Sequence, residues 1–246
     1  MSTPTALLSL WNGVDAQRIP EYDRWHTLEH VPERVWVPGF VSGTRYVGES
    51  PGQTRYFTLY ELGSLDCLDS PAYQDLVSHP SPWSASMRLS MRDFLRKTGN
   101  VVASAGSVQG AVLAVVRMVW SDVSGAAPDW HAFAAGLLAD GAPACMSRVR
   151  IQQVVAAGAQ AMANQDDAPA GMEYLCLTES SDAAALDALV ACVTRRLDAL
   201  APSRRPDWVR HSRYRFACRV DHSDVAAATR PAPRLDLMPS AALSPA

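Results

Sequence analysis

The two halves of this chain read in the same order, and that order constrains the fold more than any single motif does. Strand-like runs rich in β-branched and aromatic residues open the halves at residues 6–14 and 110–120, each carrying a Trp followed by a polar turn signal. A short helical stretch comes next in both, Tyr22-Asp23-Arg24-Trp25-His26 and then Pro128-Asp129-Trp130-His131. Two strand-like segments follow, 39–47 with 55–62 and 146–156 with 172–178, each pair joined as a hairpin. Helical stretches then occupy 70–78 and 84–96 in the first half and 182–200 in the second. In the last of these, Leu186, Leu189, Val190, Val193 and Leu197 form one apolar stripe that can lie on a sheet. Strands at 101–108 and 209–220 close the halves.

The order is therefore βαββαβ taken twice, the ferredoxin-like arrangement. It predicts an α+β chain of two fused repeats, residues 1–108 and 109–222. One four-stranded antiparallel sheet covered by helices on one side leaves its other apolar face bare, which a water-soluble chain does not tolerate. The two antiparallel sheets are thus expected to pack face to face within a single chain. Residues 157–171 read as a flexible loop, and residues 223–246, rich in Ala, Pro, Ser and Arg, as a flexible tail.

Composition excludes several function classes. A formal net charge of -3 supplies no overall field for nucleic acid, and the densest basic stretch, from Arg195 to Arg215, reads as a solvated face. The apolar stretch near the start is too short for a signal sequence, and no segment approaches the roughly 20 apolar residues of a membrane span. Five widely spaced cysteines without a C-x-x-C pair argue against a disulfide framework and against structural zinc. A cytoplasmic protein is expected, with reduced thiols and no nucleic-acid or membrane partner.

The densest set of reactive side chains is Trp25-His26-Thr27-Leu28-Glu29-His30-Val31-Pro32-Glu33-Arg34. On a helix, His26 and His30 stand one turn apart on one face, and Pro32 is expected to end or kink that helix. Imidazole titrates near pH 6.5, so His30, and after it His26, can take and return a proton, with Glu29 or Glu33 to orient the ring. Arg34 or Arg45 could hold a carboxylate or enolate, and Tyr46, Tyr56 or Tyr60 could donate to an oxyanion. Alternation along the strand sends Arg45 and Tyr46 to opposite faces, so one of the two meets the pocket. Trp25 and Trp83 are candidate apolar walls for a substrate. Thr27 stands where H-E-x-x-H needs a Glu, and no third metal ligand lies nearby, so no metal is expected. Neither a G-x-S-x-G elbow nor a phosphate-binding glycine loop occurs.

Trp25-His26, Glu29-His30-Val31-Pro32-Glu33-Arg34, Pro38-Gly39-Phe40, Arg45-Tyr46, the run from Tyr56 to Leu62 and Pro71-Ala72-Tyr73 together resemble the dimeric α/β-barrel superfamily, and within it the EthD-like proteins. The resemblance covers residues 5 to 100 by motif, while the second half follows by element order and by Trp130-His131. It implies a tandem-repeat member that binds a small apolar metabolite between sheet and helices. The superfamily includes cofactor-free monooxygenases, isomerases, cyclases, decarboxylases and haem proteins. At the offset that aligns the two Trp-His pairs, Ala135, Leu138 and Ala139 stand where the first half has His30, Glu33 and Arg34, so one working pocket, in the first half, is expected.

These readings converge on a cofactor-independent enzyme doing proton-transfer chemistry, as an isomerase, cyclase, decarboxylase or lyase, on a small apolar or aromatic intermediate. Two alternatives stay open: a non-catalytic binder of hydrophobic ligands or stress-response protein, and a haem-binding or oxygen-using monooxygenase. The expected partner is a small-molecule substrate, and the chain has the option of a homodimer.

Overall fold

The structure, a computed structural model, describes residues 4–48, 54–122 and 128–239. Eight strands form one closed antiparallel barrel: β1 (Ala6–Val14), β2 (Phe40–Val47), β3 (Tyr56–Leu62), β4 (Met91–Gly106), β5 (Val112–Trp120), β6 (Met146–Val154), β7 (Met172–Ser180) and β8 (Trp208–Asp221). Around the barrel they run β1-β3-β2-β8-β5-β7-β6-β4 and back to β1. Each half of the chain supplies four adjacent strands. The halves meet where β2 pairs with β8, Arg45 opposite Cys218, and where β4 pairs with β6, Ser104 opposite Arg150. The two sheets expected to close face to face into a barrel-like core are hydrogen-bonded to each other at both seams.

Side-chain alternation divides each strand between the barrel interior and the helix-covered outside. Leu7, Trp11, Tyr46, Phe57, Leu59, Leu113, Val115, Leu175, Leu177 and Tyr214 pack together inside. Two residues further along β3, on the same face, the Glu61 carboxylate accepts from Arg150 at 2.5 Å, Arg219 at 3.1 Å and Ser42 Oγ at 2.8 Å. Burial would raise its pKa, but the surrounding guanidinium groups of Arg150, Arg148 and Arg219 prevail and hold it at about 2. Ser9 and Gln152 bridge β1 to β6 across the interior at 2.8 Å.

Helices α1 (Ile19–Trp25), α2 (Val31–Val35), α3 (Pro71–Ser78) and α4 (Pro82–Arg88) lie on the first half of the barrel, and α5 (Trp130–Asp140) and α6 (Leu186–Asp198) on the second. Ser70, Ser81 and Asp129 cap α3, α4 and α5 by accepting from Tyr73, Ser84 and Ala132 backbone N–H groups. Gly43 permits the close approach of α2 to β2. A Cβ there would lie 2.7 Å from Val31 Cγ1 and 2.8 Å from Val35 Cγ2.

Three expectations are corrected. The helix expected over 84–96 ends at Arg88, and β4 begins at Met91, ten residues before the expected strand. The loop from 157 to 171 is tied down rather than free. Asn164 exchanges two hydrogen bonds with the Arg96 backbone, and Asp166 pairs with Arg117 at 2.8 Å and with Lys97. The tail is ordered as far as Pro239: after α7 (His222–Val225) it crosses the outside of α2 as a strap and buries Met238 against Tyr22, Trp25 and Trp83. Residues 240–246 of that expected tail lie outside the described residues. Among the described residues no helix is long and apolar enough to cross a membrane.

Candidate functional site

Between α1 and α2 the chain widens into a π-helical turn, His26–His30, rather than the regular α-helix the sequence suggests. Pro32 falls in the first turn of α2, where its missing N–H costs least, so the helix continues to Val35 instead of ending at the proline. Such π turns interrupt helices at functional sites with high frequency. Here the turn brings the His26 and His30 rings to 5.1 Å, with Trp25 4.4 Å from His30 and Tyr22 stacked 4.9 Å from His26.

His30 lines a cavity of about 70 Å³ between the helices and the outer face of the barrel. Its apolar walls are Leu8, Leu10, Trp25, Val77, Met91 and Phe94, and its polar walls are His30, Arg34, Tyr60, Tyr73, Arg88 and Arg96. Residues 159–162, from the loop of the second half, complete the enclosure, so the pocket is not built from the first half alone. Four polar atoms around it are buried without a hydrogen-bond partner: His30 Nδ1, Arg34 Nη1, Tyr60 OH and Arg96 Nη2. Burial followed by the Arg34, Arg88 and Arg45 cations holds His30 well below the ordinary imidazole value. His26 is likewise held low, by burial and then by Arg45, His30 and Arg34. Both rings are therefore neutral at pH 7. Burial raises the Tyr60 phenol, and it lowers Arg88, which also faces the Arg34 charge.

Of the expected site residues, Trp25, His30, Arg34 and Tyr60 meet at this cavity. His26 stands behind His30, with its own Nδ1 unpartnered. Glu29 and Glu33 do not orient the imidazoles. Glu29 accepts from Ser81 Oγ at 2.5 Å and from the Arg234 backbone at 2.6 Å, while Glu33 accepts two bonds from Arg230. Of the pair with alternating faces, Arg45 takes the helix side, but Asp23 and Thr27 occupy its guanidinium, and Tyr46 points into the barrel core. Tyr56 packs 4.4 Å from Tyr22 and accepts from Arg55 Nε, so it is part of the support. Trp83 is buried behind the site and donates to Glu21 at 2.9 Å.

Sequence reading misses Arg96, Phe94 and the 159–162 wall. It places Arg96 in a helix, whereas with the strand starting at Met91, alternation sets Phe94 and Arg96 on the outer face together. In the second half the corresponding space is filled by rings, Trp130 lying 4.6 Å from Tyr174 and 5.7 Å from Trp120. Among the described residues no group of three or more His, Cys, Asp or Glu side chains is arranged to hold a metal ion.

No protein-family model matches the chain, and no curated protein matches it in sequence. Solved structures do match it in shape. An anthrone oxidase-like protein superposes with a TM-score of 0.58 at 11% identity, covering 93% of this chain and 97% of that one. A proposed monooxygenase from Lactobacillus acidophilus gives 0.52 at 8% identity over 90% and 97% of the two chains. A mutant chlorite dismutase from Candidatus Nitrospira defluvii gives 0.55 at 8% identity over 89% and 93%. At such identities the likeness concerns the fold alone. The chain has an α+β fold with a closed eight-stranded antiparallel barrel, similar to that of the dimeric α/β-barrel proteins.

Proposed function

We propose that this chain is an oxygen-using enzyme that ionises a compact CH-acidic or phenolic substrate at His30 and passes the resulting carbanion to dioxygen. One observation carries the reading: His30, Arg34, Tyr60 and Arg96 line one cavity, and each holds a buried polar atom without a hydrogen-bond partner, Nδ1, Nη1, OH and Nη2 respectively. Leaving such groups unpaired costs about 1 to 3 kcal/mol each, a cost that a ligand carrying an anionic oxygen offsets. A neutral imidazole accepts the proton, and the guanidinium groups with the tyrosine hydroxyl take up the developing negative charge where water is excluded. For a substrate methylene the overall change is CH₂ plus O₂ giving C=O plus H₂O, with the His30 proton returned on loss of water. The names of the shape neighbours, anthrone oxidase-like and monooxygenase among them, fit this class better than lyase or isomerase chemistry without oxygen. The same ionisation without oxygen would give an isomerase or decarboxylase.

Haem does not fit the site as it stands. A tetrapyrrole needs a pocket of roughly 300 Å³ or more beside its axial ligand, whereas about 70 Å³ is open beside His30. A substrate larger than a few heavy atoms enters by displacing the 159–162 wall.

The βαββαβ order and the four adjacent strands from each half support a further reading, that the halves are two fused ferredoxin-like repeats of an EthD-like ancestor with one retained pocket. The five free cysteines suit a reducing, cytoplasmic compartment.

The test combines solvent deuterium exchange with oxygen uptake, over a panel of small phenols, 1,3-dicarbonyls and benzylic ketones. The wild-type protein is expected to wash deuterium into at least one of them and consume one O₂ per carbonyl formed, with both activities lost in His30→Gln. Exchange that survives this substitution, or binding with neither exchange nor uptake, would overturn the reading, and the second result would favour a non-catalytic binding protein.

A further inference from the structure

The strap formed by residues 226–239 touches the site at one informative place. Glu33 Oε1 accepts from Arg230 Nε at 2.9 Å and from Arg230 Nη2 at 2.6 Å. The other oxygen, Oε2, is buried and unpartnered, and it stands 3.9 Å from Arg34 Nη1, itself buried and unpartnered. Neighbouring residues of opposite charge in a dry site, so close to a hydrogen bond, normally complete it. Arg230 is itself anchored from the other side, Nη1 to Asp75 Oδ2 at 3.0 Å and Nη2 to the His79 carbonyl at 2.9 Å. The strap is held at its next turn too, where Glu29 accepts from the Arg234 backbone.

We infer that Arg230 is a positioning residue: by drawing the Glu33 carboxylate away, it keeps Arg34 free to receive an anion at the cavity. This rests on the reading of Arg34 as an anion holder. With Arg230 removed, Arg34 Nη1 is the nearest cation left to Glu33 and becomes its partner. The site then loses a positive charge without losing a lining residue. Arg34, Arg88, Arg45 and His26 are the charged and titratable groups that act on His30, so the state of Arg34 is readable from His30 itself.

The experiment follows the His30 imidazole by nitrogen-detected NMR titration in the ligand-free full chain, and benzoate binding by calorimetry. Arg230→Met is expected to raise the His30 pKa by about one unit, because a cation close to it becomes ion-paired, and to weaken benzoate about tenfold. The double variant Arg230→Met with Glu33→Gln is expected to restore both, since no carboxylate remains to capture Arg34. A purely structural role for Arg230 would move neither readout in this rescued pattern. An unchanged His30 titration in Arg230→Met, or a rise that persists in the double variant, overturns the inference. Arg230→Lys, which retains the charge but not the fork, serves if Arg230→Met does not fold; a smaller rise in the same direction is expected, and no rise overturns the inference. Wild-type protein that takes up no benzoate, or takes it up equally well as Arg34→Met, sinks the anion reading of the cavity, while the His30 titration still decides the role of Arg230.

Discussion

The imidazoles of His26 and His30 lie 5.1 Å apart, yet only His30 borders the cavity, and His26 is wedged between it and the Tyr22 ring. The pair is therefore unequal. Substituting His30 by Gln is expected to lower the rate of proton exchange into substrate by about 10²- to 10⁴-fold, the usual contribution of a positioned acid-base group. His26→Gln is expected to cost about tenfold or less. Steady-state exchange rates of the two variants check this, and equal losses would contradict the assignment.

Acid should unfold the protein through the same two rings. Both are held neutral in the folded state, below their unfolded value near 6.5. Above that pH they leave stability unaffected. As pH falls below it, the unfolded chain binds protons that the folded chain does not, so stability is lost down to the folded-state pKa values. The limiting slope is about 1.4 kcal/mol per pH unit for each imidazole. Urea denaturation between pH 7 and pH 5 measures it, and His26→Gln is expected to reduce the slope by up to half.

Gly43→Ala is expected to destabilise the fold by about 1 to 3 kcal/mol, the range for overpacking a filled site. The added methyl would meet Val31 and Val35 on one side and Tyr60 Cε1 at 3.0 Å on the other. A lower denaturation midpoint with an unchanged slope is the expected result. An unchanged midpoint would mean that α2 does not sit so close to β2.

Asn164→Ala removes two hydrogen bonds that hold the cavity-closing loop to Arg96, at 2.8 Å and 3.2 Å. Amide exchange over residues 157–166 is expected to accelerate by about tenfold, corresponding to roughly 1 kcal/mol of local stability. The melting temperature should hardly move, because the barrel keeps its own hydrogen bonds. Exchange confined to its wild-type rate would show that the wall is held by something other than Asn164.

Much of the barrel is legible in the sequence because strands buried on the helix side announce themselves by composition and spacing, as β1, β3, β5 and β7 do. Trp25, His30 and Arg34 are legible for a related reason, since packing alone rarely gathers so many reactive side chains within ten residues of one helix, and strand alternation adds Tyr60. The start of β4 is not. Met91 to Lys97 mixes apolar and charged residues in a way that suits a helix face equally well, and the bulge opposite Trp11 and Gly13 breaks strict alternation. The π turn leaves no mark in residue types. The strap escapes a sequence reading because Arg, Pro and Ala describe a solvated segment until Glu29 and Glu33 are known to face it. Those two carboxylates, one helical turn apart, suggest service to the imidazoles when they serve the opposite side.

Every strand of the barrel already has a hydrogen-bonding neighbour on both flanks, from β1 round to β4 and back. Among the described strands no open edge of backbone amides and carbonyls is left for another chain to extend. Any self-association through this barrel must therefore be written in side chains, on helix or loop surfaces or on the outward face of a strand such as β8, where Val209 stands partly in solvent. Sheet-to-sheet continuation, the commonest route by which open β-structures aggregate, is closed to the folded barrel by its circular geometry.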